Sequence, residues 1–420
     1  TLPQRLPPHA RIESIVVVDF VETRLIASLP DEFKIIDSAS DEKSNISIPA
    51  DLVMCADCRR EIFDPKNRRY GYPFTTCTNC GPRYTVVNAM PYDRERTTLN
   101  KFPLCPQCLE EYTDQNNRRY HAESTACPKC GPRLTLVGSG VETRLIASLQ
   151  DVRQQIANGK IIAVRGIGGF HLLVDAFNEN ALITLRERKR RPSKPFAVMA
   201  RNLDVVKKLC EVSEEEEKLL KAPEGPVVIL DVLNVETRLI ASLRGITPDA
   251  NTLGVMLPTS PLHALLFEPR AGDPPPPVAL LVLPSGNRGG EPICITNEEA
   301  FDRLKGIADL FLVHDREINL RNDDSLCVIQ QEKPQIWRRA RGYAPNPIFL
   351  KKALSRTVLA MGAELKNTIA LGFDDRVVLS PHVGDLEAPE AVDGLKKVCD
   401  EFPRFFQQEP EVIAVDLHPD

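Results

Sequence analysis

A chain of 420 residues is too long for one hydrophobic core and implies about three domains of ordinary size. With 53 basic against 58 acidic side chains and a net charge of −5, it lacks the cationic excess from which a dedicated nucleic-acid binder draws its affinity. No run approaches the roughly 20 apolar residues of a membrane span, and Thr1-Leu-Pro-Gln-Arg5 has no signal-peptide core, so a soluble cytoplasmic protein without membrane or nucleic-acid partners is expected.

Residues 12–20 read as an apolar strand with too little around it to form a core. The nonapeptide VETRLIASL follows at 21–29 and returns unchanged at 141–149 and 235–243. Such unequal spacings fit no solenoid, and identity without drift suggests one common inserted element that says nothing about function. Its first two copies fall at expected domain boundaries and the third in a loop.

Residues 45–138 form a loop-rich cysteine module. Cys55, Cys58, Cys77 and Cys80 recur 50 residues later as Cys105, Cys108, Cys127 and Cys130, each set being two CxxC pairs 18 residues apart. A two-residue gap lets both thiolates of a pair reach one tetrahedral ion, so two structural zinc ions are expected. Spacing alone leaves open whether pairs combine within or between blocks, with His121 as a reserve ligand. Asn67-Arg68-Arg69-Tyr70 also recurs as Asn117-Arg118-Arg119-Tyr120, so the repeat extends beyond the ligands. Gly81 and Gly131, one after each second pair, suit tight knuckles. The remaining thiols, Cys210, Cys294, Cys327 and Cys399, sit in apolar segments as small hydrophobes.

From about 150 to 347, strand and helix patterns alternate, which predicts one α/β domain with a twisted sheet. Helices are expected at 152–159 and 179–188, and strands at 160–165, 195–200, 227–231, 278–283 and 310–314. Asp273 and Pro274–Pro277 read as an exposed stiff loop. After Pro347, strand patterns at 357–361 and 368–372 open a further domain, and the chain stops at Asp420 directly after the strand-like 412–416, as a piece of a longer protein would.

Positive charge is densest at 186–195, where Pro192 and Pro195 stiffen a loop that aims Lys189, Arg191 and Lys194, a set suited to a triphosphate or carbamoyl phosphate. Leu283-Pro-Ser-Gly-Asn-Arg-Gly-Gly follows a buried strand, and its Ser285, Asn287 and backbone amides suit an oxyanion as readily as a plain turn. His171, after a glycine-rich stretch, reads equally as a core histidine or a ligand contact. Asp323-Asp324 reads as a magnesium or base-orienting pair or as a helix cap.

The tandem CxxC…CxxCGPR blocks, GIGGFHLLVDA, KRRPSKPFAVMA, PSGNRGGEP, HDREINLRNDDS, RRARGYAPNP and MGAELKNTIAL together resemble the hydrogenase-maturation carbamoyltransferase family, HypF. The resemblance implies a multidomain α/β (α+β) chain. Residues 1–20 would be the tail of an acylphosphatase-like domain, 45–138 the zinc module, 150–347 a YrdC-like domain, and 354–420 the start of an actin/sugar-kinase-like transfer domain whose histidine cluster would lie beyond Asp420. It also implies a reaction in which carbamoyl phosphate and ATP, with Mg2+, give carbamoyl adenylate. The carbamoyl group then passes to the C-terminal cysteine of the partner HypE, as the precursor of a cyanide ligand. On the family pattern Lys189, Arg191, Ser285 and Asn287 would be catalytic, with His171, Lys194, Ser325 and Arg341 binding substrate or nucleotide. Pro284 and Gly289 depart from the usual turn and remove donors. Three further readings remain open: an O-carbamoyltransferase for a small metabolite, a threonylcarbamoyl-adenylate synthase, and a non-enzymatic zinc-dependent protein-docking module.

Overall fold

The computed structural model describes residues 48–138, 144–146, 149–233, 243–273 and 278–417; the strand expected at 12–20, the first nonapeptide and Pro274–Pro277 lie outside them. Two short helices, α1 (Ala56–Phe63) and α2 (Pro106–Thr113), each begin directly after the first cysteine of a block and carry its second cysteine, buried, in their first turn. Little else in residues 48–133 is regular, as befits a segment whose order rests on ligands rather than on a large apolar core.

The alternating region follows as β1 (Leu134–Gly138), β2 (Arg144–Ile146), α3 (Leu149–Ala157), β3 (Ile162–Arg165), β4 (Phe170–Asp175), α4 (Glu179–Lys189), β5 (Val198–Ala200), α5 (Leu203–Lys207), α6 (Glu214–Leu220), β6 (Val227–Asp231), β7 (Thr252–Met256), α7 (Pro261–Phe267), β8 (Leu280–Val282), α8 (Asn297–Arg303), β9 (Leu310–His314), β10 (Leu326–Gln330) and β11 (Lys333–Arg338). These strands make one 11-stranded mixed sheet in the order β11-β10-β6-β7-β5-β8-β4-β3-β9-β1-β2. Within it β3 and β9, β5 and β7, and β6 and β10 pair in parallel. The central strands are apolar on both faces because both are covered. Ala163, Leu172, Val198, Val228 and Phe311 face one core with α4 and α6, while Ile162, Leu173, Met199, Val227 and Leu312 face a second with α3 and α7. Tyr72, Phe74 and Ala126 of the cysteine module complete that second core. The module is therefore a structural layer of the sheet domain, and backbone bonds from Val53 N to Pro223 O (2.9 Å) and Met54 N to Thr259 O (2.9 Å) tie it down. The second nonapeptide supplies the edge strand β2 and the first residue of α3.

A five-stranded sheet, β12 (Ile348–Phe349), β13 (Val358–Ala360), β14 (Ala370–Phe373), β15 (Arg376–Leu379) and β16 (Val412–Ala414), follows with α9 (Pro389–Phe405). Its core joins Leu371, Phe373, Phe402 and Phe405 to Ile48, Tyr84 and Val87 of the cysteine module. The strands expected at 227–231 and 310–314 have those bounds, whereas those expected at 160–165, 195–200 and 278–283 are shorter by two or three residues, because flanking residues leave the ladder while staying buried; Ile161 and Leu283 are examples. Asp273, expected in an exposed loop, is largely covered: Arg153 Nη2 donates to it at 2.9 Å. Cys210, Cys294 and Cys327 are buried, and burial pushes their thiols up to about 12, 11 and 11, which leaves them inert; Cys399 is only half-buried. Among the described residues no helix is long and apolar enough to cross a membrane.

Candidate functional site

The eight module cysteines converge within their own blocks: Cys55, Cys58, Cys77 and Cys80 form one cluster and Cys105, Cys108, Cys127 and Cys130 the other. Sγ–Sγ separations are 3.6 Å (Cys55–Cys77), 3.8 Å (Cys77–Cys80) and 3.5 Å (Cys58–Cys80) in the first, and 3.8, 3.7 and 3.6 Å at the equivalent pairs of the second. Four thiolates about 2.3 Å from one zinc ion would lie roughly 3.8 Å apart, so both clusters fit a closed tetrahedral site with no position left for substrate. His121 is not a reserve ligand; its ring packs between Tyr112 and Tyr120, at 5.0 and 4.6 Å between centroids. Gly81 does take a left-handed turn (φ 96°), but Gly131 does not: a side chain there would meet the Tyr72 hydroxyl.

The repeated arginines serve the opposite block. Arg68 Nη2 donates to Cys108 Sγ at 3.2 Å and to Glu111 at 2.6 Å, while Arg118 Nη2 donates to Cys58 Sγ at 3.2 Å and forms an ion pair with Glu61 at 2.7 Å. Arg69 Nε reaches Ala126 O (2.8 Å) and Arg119 Nε reaches Thr76 O (3.0 Å), so each block pins the other's second knuckle. A tetrathiolate zinc site carries two negative charges, which these guanidiniums offset. Arg118→Ala is expected to leave the chain folded with zinc bound but to weaken retention of the first ion by about 10- to 100-fold. Competition with a colorimetric chelator measures this.

The nucleotide-sized cavity lies elsewhere. A cleft of about 470 Å³ opens between the loop after α4, the turn after β8, the strand that Asp323 and Asp324 precede, and Lys366, His382 and Asp385 of the second sheet domain. Asn178 caps α4 at its start, and Arg190, in the left-handed region (φ 50°), ends it, so Lys189 points inward while Arg191 to Lys194 form the cleft wall. Lys189 is 3% exposed, and its Nζ donates to Ser285 O (2.8 Å), Asn287 O (2.6 Å) and Asn287 Oδ1 (2.8 Å). Ser285 Oγ donates to Asn287 Oδ1 at 2.7 Å. The lysine and the Ser-x-Asn turn, 96 residues apart, thus make one unit. Its three acceptors call for the ammonium form, yet burial, then the charges of Arg191 and Lys194, push Lys189 down to about 7. Burial and Arg186 likewise lower Arg191 to about 10. Among the described residues Lys189, Arg191 and Lys194 have no carboxylate ion-pair partner, so the cleft wall carries charge that a polyanion would neutralise.

Behind the cleft floor runs a buried chain of polar groups. Arg341 Nε donates to Asp324 Oδ1 at 2.8 Å, and Asp324 Oδ2 lies 3.1 Å from His171 Nε2. Burial alone would raise the Asp324 carboxyl, but Arg341 and His171 outweigh it and hold the group well below the usual carboxylate range. An ionised Asp324 fixes the proton on His171 Nε2, and His171 Nδ1 is buried without a protein partner at a residue lining the cleft. Asp324 is therefore neither a helix cap nor free for magnesium, and Asp323 is paired with Arg338 at 3.0 Å. Ser325 does not face the cleft as expected: it is fully buried, donating from Oγ to Arg341 O (2.9 Å) and accepting from Ala340 N (2.8 Å). Arg341 also stays behind the wall and acts through Asp324. Pro284 still takes part in the turn, its carbonyl accepting from Leu172 N at 2.9 Å, and Gly289 faces open space. Sequence reasoning missed Arg321, Arg338, Lys366, His382 and Asp385 in the lining. Arg321, Arg338 and Lys366 stood in quoted motifs without being assigned to the site, and Lys366, His382 and Asp385 come from another domain, which only domain packing brings to the cleft.

A cationic, nucleotide-sized cleft at the edge of a mixed α/β sheet, braced by two four-thiol knuckles, defines a YrdC-like domain joined to a tandem zinc finger. Residues 154–340 match the Sua5/YciO/YrdC family model, described as "Telomere recombination"; 54–87 and 104–137 match the "HypF finger", and 353–420 the "HypF Kae1-like domain". Among curated relatives, carbamoyltransferase HypF2 of Cupriavidus necator is 43% identical over 99% of this chain and 52% of its own length. Carbamoyltransferase HypF of Synechocystis sp. is 44% identical over 100% of this chain and 53% of its own. A crystal structure of full-length HypF in a phosphate- and nucleotide-bound form superposes with a TM-score of 0.82 at 44% identity, over 88% of this chain and 47% of that one. That of T. kodakarensis HypF gives a TM-score of 0.82 at 40% identity, over 90% and 48%. The chain belongs to the HypF carbamoyltransferase family and spans about half the length of the curated relatives it matches.

Proposed function

We propose that the cleft binds ATP with Mg2+ and joins it to carbamate derived from carbamoyl phosphate, as one station of a carbamoyl-transfer reaction of [NiFe]-hydrogenase maturation. A carbamate oxygen attacks the α-phosphorus, the bond to the β-phosphate oxygen breaks, and carbamoyl adenylate and pyrophosphate result. The observation that carries this reading is the unit of Lys189, Ser285 and Asn287 beside the unpaired Arg191 and Lys194. Arg191 and Lys194 suit the departing pyrophosphate, Lys189 holds the turn and adds charge, and His171 Nδ1 is placed to accept a hydrogen bond from substrate. On this reading residues 150–347 are the adenylating domain and 354–420 belong to the domain that passes the carbamoyl group to the C-terminal cysteine of HypE. The two cysteine clusters hold structural zinc and take no part in the chemistry.

Lys189→Ala and Arg191→Ala should each lower ATP-dependent turnover by about 10- to 100-fold, the worth of a charged hydrogen bond to phosphate, with the fold intact. Because Lys189 loses its proton near pH 7 in the free chain and a polyanion favours its charged form, ATP binding should take up a proton above pH 7. Its affinity should then fall as pH rises from 7 to 9. Calorimetry in buffers of different ionisation enthalpy reads the proton, and unchanged kinetics and no uptake would leave the loop a solvated face.

A further inference from the structure

The turn after β8 has firm ends and a loose middle. Cys294 N donates to Gly286 O (2.9 Å) and Gly286 N to Phe170 O (2.7 Å), which fixes the ends. Between them Arg288, Gly289 and Gly290 are exposed, Gly290 lies in the left-handed region (φ 84°), and a side chain at either glycine would meet nothing. Two adjacent glycines leave such a segment many conformations, so Asn287 needs an anchor from outside the turn to keep one orientation.

Arg303, the last residue of α8, supplies it. Its Nε donates to Glu291 Oε2 (2.8 Å) and its Nη2 to Pro292 O (2.6 Å), with both charged side chains largely covered. A capping box of Thr296 and Glu299 fixes the start of the helix that carries it. Glu291 O in turn accepts from Asn287 Nδ2 at 2.5 Å. That bond decides which way the amide faces: with Nδ2 on Glu291, Oδ1 is left to accept from Lys189 Nζ and Ser285 Oγ. A flipped amide would aim an N–H at the lysine. Glu291 and Pro292 line the cleft, whereas Arg303 lies outside the lining. We propose that Arg303 is a positioning residue for the adenylation proposed for this cleft, a reading on which this one rests: through Glu291 and Pro292 it holds the Asn287 amide in the orientation that Lys189 and Ser285 require.

The test follows carbamate-dependent pyrophosphate release and ATP affinity against pH in the zinc-loaded wild type and in Arg303→Met. The variant should lose about 3- to 10-fold in kcat/KM for ATP, the worth of one hydrogen bond. The alkaline fall in ATP affinity should also move about 0.5–1 pH unit lower, because Lys189 loses an acceptor for its charged form. Arg191 and Lys194 of its own loop, Asp323 and the Cys294 thiol are the charged or titratable groups that face Lys189. Loss of the Arg303 charge as such could only move the fall upward. In Asn287→Ala, adding Arg303→Met should cost nothing further. An unchanged rate and profile, an upward shift, or the same loss again in Asn287→Ala overturns this proposal alone, while absence of carbamate-dependent release in the wild type overturns the adenylating reading and this one with it. Should Arg303→Met fail to fold, Glu291→Gln, which keeps the backbone acceptor and loses the ion pair, is expected to shift the profile the same way, and an unshifted profile there overturns the proposal.

Discussion

Stripping zinc from the chain is expected to unfold residues 48–133 and to loosen the large sheet with them. Structural zinc sites of this kind are worth about 10–16 kcal/mol in isolated fingers, more than the whole stability of an ordinary domain. Few apolar residues are there to compensate, since the clusters are lined chiefly by the cysteines themselves with Met54 and Leu104 beside them. The damage should spread because Tyr72, Phe74 and Ala126 belong to the sheet's second core and Tyr84 and Val87 to that of the five-stranded sheet. Chelation, or Cys108→Ser, should therefore release metal and open backbone amides in β1, α3 and α7 to hydrogen exchange. The same amides staying protected in metal-free chain would show that the module is an appendage.

Asp324→Ala should cost about 3–5 kcal/mol of stability, because it leaves the Arg341 guanidinium, 3% exposed, without its carboxylate partner among the described residues. The carboxyl's folded pKa is depressed, so its contribution is present above about pH 4 and fades as pH falls below that toward the folded value. Urea midpoints at pH 7 and pH 3 should thus differ more in the wild type than in Asp324→Ala. Adding Arg341→Met to Asp324→Ala should recover much of the loss, since the unpaired charge goes with it. A single-variant cost under about 1 kcal/mol would mean the pair is weak. His171 should lose its fixed orientation in both variants, and turnover should fall even where stability is restored.

What the sequence disclosed follows from how locally each feature is determined. The eight ligands were legible because a CxxC spacing is itself coordination geometry, whereas the choice of within-block pairing depends on how 18 intervening residues fold. The Asn-Arg-Arg-Tyr repeat was visible, but its purpose was not: Arg68 and Arg118 reach across to the other block. Continuous apolar runs placed the central strands, yet several overran the strand ends, since buried residues such as Leu283 need not join a ladder. Lys189 and the Ser285–Asn287 turn were each picked out by residue type, and only the sheet order, β4 beside β8, brings them together. Ser325 and Arg341 were expected to bind substrate or nucleotide and lie outside the cleft lining, because a buried serine between two strands staples backbone instead. His171 is a different case: it was ambiguous between core and site, and it is buried while one nitrogen remains unpartnered. The lining contributed by Lys366, His382 and Asp385 depends on domain packing, for which no short motif codes.

The adenylating role of the cleft is tested most directly by pyrophosphate release from ATP, measured on the zinc-loaded chain with and without carbamate supplied from bicarbonate and ammonia. The account predicts release that depends on carbamate, with AMP as the companion product once the adenylate hydrolyses, and a loss of about 10- to 100-fold in Lys189→Ala. Release of ADP and phosphate in place of pyrophosphate, or pyrophosphate release indifferent to both carbamate and Lys189, would contradict it.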